Sequence, residues 1–201
     1  FTALAWVGVP FYVALPITLA CAFLLGIGVE RVILRPLIGQ PIISVIMVTL
    51  GLGVTLTGLM YMIWTPRFRS FPEIFPPEPL DVGFAVVPSG LWWGLVFSVI
   101  ATAVFLAIFK FSRTGVAMRA TANDQQAALS MGISVRWVFA LAWCFGAMAS
   151  AIGGIVIGNI SGISVYMGDV GLRVLAVIIL GGLDSIGGAI IGGLIIGVLE
   201  N

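Results

Sequence analysis

Histidine is absent from this 201-residue chain, and its two cysteines, Cys21 and Cys144, both lie inside apolar stretches. Neither a His/Cys metal cluster nor a Cys/His catalytic pair can be assembled from that inventory. Charge is scarce too. Only 8% of the residues are Asp, Glu, Lys or Arg, where a soluble domain carries about 25%, so the chain cannot clothe a surface that faces water. Nine basic against eight acidic residues leave a formal charge of +1. That is no basic excess for neutralising phosphates, and nucleic acid is excluded as a partner. A G-x-x-x-x-G-K-[ST] phosphate loop is missing as well, so the chain has no means of cradling a nucleotide. What it does have is 61% hydrophobic residues and 26 glycines, the composition of a protein whose solvent is a bilayer.

Crossing the hydrocarbon as a helix takes about 20 apolar residues, and the runs of that length predict an all-α, polytopic transmembrane bundle forming one domain over residues 1–201. Residues 10–29 form one span, after the tail of another, and Glu30, Arg31 and Arg35 close it. Residues 41–64 are a charge-free span bounded by Pro36 and Pro66, since proline cannot continue a helix. Residues 91–109 follow, opening on Trp92 and Trp93 where aromatic rings favour the headgroup region, and residues 137–158 are the next span. Between the second and third, residues 65–90 hold most of the prolines with Arg67, Arg69, Glu73, Glu78 and Asp81, a polar loop outside the lipid. Residues 172–199 are two apolar pieces split by Gly181, Gly182, Leu183, Asp184 and Ser185. They read either as two short helices meeting at a glycine turn or as a broken, re-entrant pair.

Short cytoplasmic loops retain Lys and Arg. Residues 110–136 carry Lys110, Arg113, Arg119 and Arg136 against Asp124 alone, which places that loop inside the cell and residues 65–90 outside. Arg31 and Arg35 then fall inside again, in agreement with one alternating topology.

Three groups of residues are candidates for function. Inside the cytoplasmic loop, Asn123 and Asp124 suit a helix N-cap, Gln126 sits three after Asn123 as a capping box prefers, and Gly132 suits the C′ position. The enclosed two-turn helix is too short to stand alone in water. With Ala127, Ala128, Leu129 and Met131 it is either a docking element or a loop helix lying on the headgroups. Small residues at helical spacing form the second group: Gly146, Ser150, Gly154, Gly158 and Gly162, and again Ala189, Gly193 and Gly197. Such ridges serve close packing within one bundle or a seam against a second membrane subunit. The third group is charge near the membrane. Asp169, Arg173 and Asp184, with the glycine turn at Gly181 and Gly182, either form interfacial pairs or line a polar path through the membrane.

The stretch Gln126-Ala127-Ala128-Leu129-Ser130-Met131-Gly132 resembles the EAA---G loop of ABC-importer permeases, with Gln126 in place of the usual Glu. Ser112-Arg113-Thr114-Gly115, Arg119-Ala120, Asn123-Asp124 and Gly132-Ile133 are similar to the same loop of the branched-chain amino acid, or Liv-type, permeases. So are Glu30-Arg31 with Arg35-Pro36-Leu37, Thr49-Leu50-Gly51-Leu52, and the turn from Gly181 to Ala189, where Asp184 and Gly187 depart from the family's GGxGSxxGA. The resemblance covers essentially the whole chain. It implies further spans before Phe1 and after Asn201 in the natural protein.

The resemblance also implies a non-catalytic, multi-pass subunit of a bacterial inner membrane. Its partners would be two ABC ATPase subunits carrying ATP and Mg, a second related permease subunit and an extracytoplasmic solute-binding protein, with membrane lipid around it. Arg119, Asn123, Asp124, Gln126, Ala127, Ala128 and Gly132 would then couple to the ATPase. The solute would be a branched-chain or other hydrophobic amino acid, and relatives that handle urea or short amides leave an alternative. An ion-coupled carrier or channel is the other class. The spans at 41–64 and 91–109 hold no Asp, Glu, Lys or Arg for a coupling ion, which weighs against it.

Overall fold

The computed structural model describes residues 1–63, 71, 80–81, 86–182 and 185–200. The chain is helical: α1 (Thr2–Trp6), α2 (Phe11–Val29), α3 (Ile42–Ile63), α4 (Ser89–Phe111), α5 (Arg113–Asn123), α6 (Gln125–Ser130), α7 (Val135–Ser161), α8 (Asp169–Gly181) and α9 (Ile186–Leu199). A two-residue antiparallel pairing joins Leu80–Asp81 to Val86–Val87. Four stretches are long and apolar enough to cross a membrane: Phe11–Leu37, Ile43–Ile63, Ser89–Phe111 and Val135–Ser161. Their side chains are largely turned outward. Leu25, Met62, Leu95 and Val99 are all exposed, which only a lipid solvent tolerates in such density. This is an all-α polytopic bundle.

The bounds differ from the sequence expectation in instructive ways. The first span does not stop at Glu30: the backbone winds on through a π turn at Glu30–Leu34 and a 3₁₀ turn at Arg35–Leu37. Charge alone does not end a helix whose end is packed, and Glu30 is buried there. α4 and α7 begin two residues early and run two or three residues past their apolar cores. Residues 110–136, expected to hold one short helix, hold two.

The chain divides into two compact units. The first contains Phe1–Met47 and Ser70–Gly162. In it α2 packs on α7, and buried or half-buried residues recur four apart along α2 and just past its end: Ala14, Thr18, Ala22, Gly26 and Glu30. A Cβ on Gly26 would lie 2.9 Å from both Cys144 Cα and Trp143 O, so the two backbones touch. Cys144 donates from Sγ to Phe23 O at 3.6 Å. α4 lies antiparallel to α7: Gly94 abuts Val156 and Ile160 near one end, and Phe105 meets Phe145 edge to face, 6.2 Å between centroids, nearer the other.

The second unit contains Val48–Arg69 and Ile163–Asn201. In it α8 and α9 pack as a hairpin across Gly182, whose φ of +91° only glycine adopts readily. Ser185 Oγ caps α9 by accepting from Gly188 N at 2.9 Å. The helices cross so closely that a Cβ on Gly181 or Gly188 would run into the other's backbone, and one on Gly192 would stand 2.7 Å from Val177 O.

Candidate functional site

The candidates within residues 110–136 lie together on and around α5 and α6, between the C-terminal end of α4 and the N-terminal end of α7. α5 starts where Ser112 leaves the helical region (ψ 153°) and its Oγ accepts from Gly115 N at 3.0 Å. Gly115, Met118 and Thr121, three apart, form the buried face of α5. Thr121 satisfies its hydroxyl on Ala117 O at 2.9 Å. Gly115 has to be glycine, because a Cβ there would enter the carbonyl group of Phe109.

One residue joins α5 to α6. Asp124 N donates to Ala120 O at 3.1 Å, which closes α5, and its Oδ1 accepts from Gln126 N at 2.8 Å and Ala127 N at 3.0 Å, which opens α6. The cap is therefore Asp124 alone. Asn123 remains the last residue of α5, and Gln126 forms no capping box with it. The carboxylate wins because it serves two orphan N–H groups at once while Asn123 stays in the preceding helix. At the far end Gly132 takes φ +79°, Gly132 N donates to Leu129 O and Ile133 N to Ala128 O, the Schellman pattern.

α6 has an inner and an outer side. Ala128 is 4% exposed and belongs to the inner one, with α5 and α7 as neighbours. Gln125, Gln126, Ala127, Leu129, Ser130 and Met131 are exposed. Ala128 thus seats the helix, and any surface offered to another molecule is made by its neighbours. Arg119 is turned elsewhere again: its guanidinium donates to Phe109 O and, at 3.5 Å, to Lys110 O, at the end of α4.

The other candidates are dispersed. Gly146, Ser150 and Gly154 are exposed, Gly158 is buried, and Gly197 has open space around it. A Cβ on Gly193 would be only in ordinary contact with Val177, 3.8 Å from its Cγ1. The tight crossings fall on Gly26 and on Gly181, Gly188 and Gly192 instead. Arg173 forms an ion pair with Glu200 across the α8–α9 hairpin. Leu183 and Asp184, and the side chain of Asp169, lie outside the described residues.

Sequence reasoning passed over three features. Glu30 is 3% exposed, Arg35 Nε is 4.0 Å from its Oε1, and that oxygen has no hydrogen-bond partner among the described residues. The Arg119 link to α4 has no sequence signature, because it depends on how α5 folds back on the end of α4 after Ser112. The Ala14, Thr18, Ala22, Gly26 stripe was legible by the same four-residue spacing that singled out α7.

The whole chain, residues 1–201, matches the family model described as branched-chain amino acid transport system / permease component. It is 30% identical over 184 residues to the high-affinity branched-chain amino acid transport system permease protein LivH of Salmonella typhimurium, covering 87% of this chain and 59% of that protein. It is 29% identical to LivH of Escherichia coli K12, with 92% of this chain and 61% of the relative covered. With BraD of Pseudomonas aeruginosa, a permease protein of the same description, identity is 28% over 87% of this chain and 59% of the relative. The chain spans about three fifths of the length of these curated relatives. No solved structure gives a significant match.

Proposed function

Because this chain belongs to the branched-chain amino acid transport permease family, we propose that it forms half of the translocation path of an ATP-binding-cassette importer, with ATP hydrolysed on separate subunits. The solute is a branched-chain or other hydrophobic amino acid. This rests on the chain's similarity to LivH and BraD, high-affinity branched-chain amino acid transport system permease proteins. Partners are two ATPase subunits, a second related permease and an extracytoplasmic binding protein on the side of residues 65–90.

The observation that carries the proposal is α6. A six-residue helix has no stability of its own, yet this one is capped at both ends and seated through Ala128, leaving Ala127, Leu129 and Met131 outward. That is a small, rigid, mostly apolar knob with no acid on its outer side, suited to a cleft on an ATPase. Displacing it would shift the bundle between two states, the equilibrium being biased by nucleotide on the partner.

The test is purification of the full-length protein from membranes in mild detergent, together with leucine uptake in cells. We expect an ATPase to co-purify and to be lost, along with uptake, on Leu129→Arg, which loads the outer side with bulk and charge without touching the buried one. Uptake that persists without any ATPase and follows the proton gradient would overturn the proposal in favour of ion-coupled transport. Uptake of urea or a short amide in place of leucine would correct the solute alone.

A further inference from the structure

We infer that Arg119 is a positioning residue that binds α5 and α6 to the end of α4, so that a displacement of α6 is delivered to a membrane-spanning helix rather than absorbed in the loop. This rests on the docking role of α6 proposed above and adds where its motion goes.

The last carbonyls of any helix lack an intrahelical partner. In α4 they include those of Phe109 and Lys110, and the Arg119 guanidinium donates to both. Arg119 lies four residues after Gly115, so the two share one face of α5. Gly115 brings that face against the Phe109 carbonyl, with no space for a Cβ, and Arg119 fastens it one turn further on. Ser112 N, donating to Ile108 O at 3.0 Å, holds the start of the same turn. The α4–α5 corner is therefore fixed at three successive points, and a single fixed residue, Asp124, carries that rigidity on to α6.

The chemistry explains the residue type. A planar guanidinium has donors spread across a fork and addresses two adjacent carbonyls at once, whereas lysine places one compact ammonium group. A cation is also favoured at the negative end of the α4 dipole. Lys110 and Arg113 flank the site and supply the same sign of charge, so no carboxylate competes for Arg119 from those neighbours.

Two measurements on the full-length protein test this. In the first, the complex with its ATPase is reconstituted in liposomes and uptake per ATP hydrolysed is compared for wild type, Arg119→Ala and Arg119→Lys. Losing charge-assisted hydrogen bonds of this kind should lower that ratio about tenfold in Arg119→Ala, with Arg119→Lys between it and wild type and the amount of bound ATPase unchanged. An unchanged ratio overturns the inference, and so does loss of the ATPase as complete as in Leu129→Arg, which would make Arg119 part of the docking surface. In the second, spin labels at Ser130→Cys on α6 and Leu106→Cys on α4, in a Cys21→Ser background, report the α4–α6 distance. The distribution should be narrow with Arg119 and broad with Arg119→Ala. A distribution that does not change overturns the inference even if wild type binds no ATPase, the outcome that would sink the docking proposal itself.

Discussion

Gly26 of α2 and Cys144 of α7 meet backbone to backbone, a Cβ on Gly26 having only 2.9 Å to Cys144 Cα. Main-chain atoms on the far side cannot swing away as a side chain would. Gly26→Val should therefore separate the helices and destabilise the protein by about 2 kcal/mol or more. Gly28, two residues on, has nothing among the described residues within 4 Å of an added Cβ and serves as the control. Thermal denaturation in detergent should show a lower melting temperature for Gly26→Val and little change for Gly28→Ala. Equal effects would mean that this crossing does not hold the helices together.

The Asp124 carboxylate accepts from two main-chain N–H groups at the start of α6. Asp124→Ala should cost about 1 kcal/mol of local stability, and Asp124→Asn less, because an amide oxygen still accepts. Hydrogen exchange at the Gln126 and Ala127 amides is the direct readout. It should speed up in Asp124→Ala and stay slow in Asp124→Asn.

Gly132 closes α6 in the left-handed region, with nothing among the described residues within 4 Å of where a Cβ would go. Gly132→Ala thus meets no clash and should lose only about 1 kcal/mol to backbone strain. Leucine uptake should weaken without being abolished. Gly132→Pro should abolish uptake at normal expression, because it also removes the N–H that bonds Leu129 O. Normal uptake by Gly132→Pro would argue against any need for this helix end.

Glu30 is buried, with an oxygen that has no hydrogen-bond partner among the described residues, and half-exposed Arg35 is the cation beside it. The two members of this pair should respond differently to truncation. Glu30→Gln removes a buried charge at constant shape and leaves Arg35 to water, so stability should hold or rise. Arg35→Ala strands the carboxylate and should destabilise by about 2 kcal/mol. Melting temperatures of the two variants decide it. A larger loss in Glu30→Gln would reverse the assignment.

Engineered cysteines at Glu78 and Ser130 should be labelled from opposite sides of the membrane by an impermeant maleimide, with Ser130 on the cytoplasmic side. Labelling of both from one side would overturn the topology drawn from the basic residues.

The spans were legible because an apolar run of membrane length has few other uses, and α3 and α7 lie close to where hydropathy puts them. Family membership was legible too, since short motifs in a fixed order survive at about 30% identity. α5 was not, because its buried face is made of Gly115, Met118 and Thr121, of which only Met118 reads as apolar. Asn123 and Asp124 are equally good caps on paper. The choice between them is made by where α5 ends, two residues past Thr121, the last residue of its buried face. The glycine ridges show the same limit. Small residues every four positions mark a helix face fit for close approach, but which such face is used depends on the helix opposite, and within this chain α7 turns Cys144 rather than Gly146, Ser150 or Gly154 toward α2.

Asp124 belongs to two helices at once, and the loop around it consequently has no slack. One residue inserted into or deleted from α5 would turn everything after it by about 100° around that helix axis. Ala128 would leave the side where α7 lies, and a longer side chain would be driven in. Substitutions on the outer side of α6 are free to follow a partner's surface, whereas the number of residues from Ser112 to Gly132 is not free to vary.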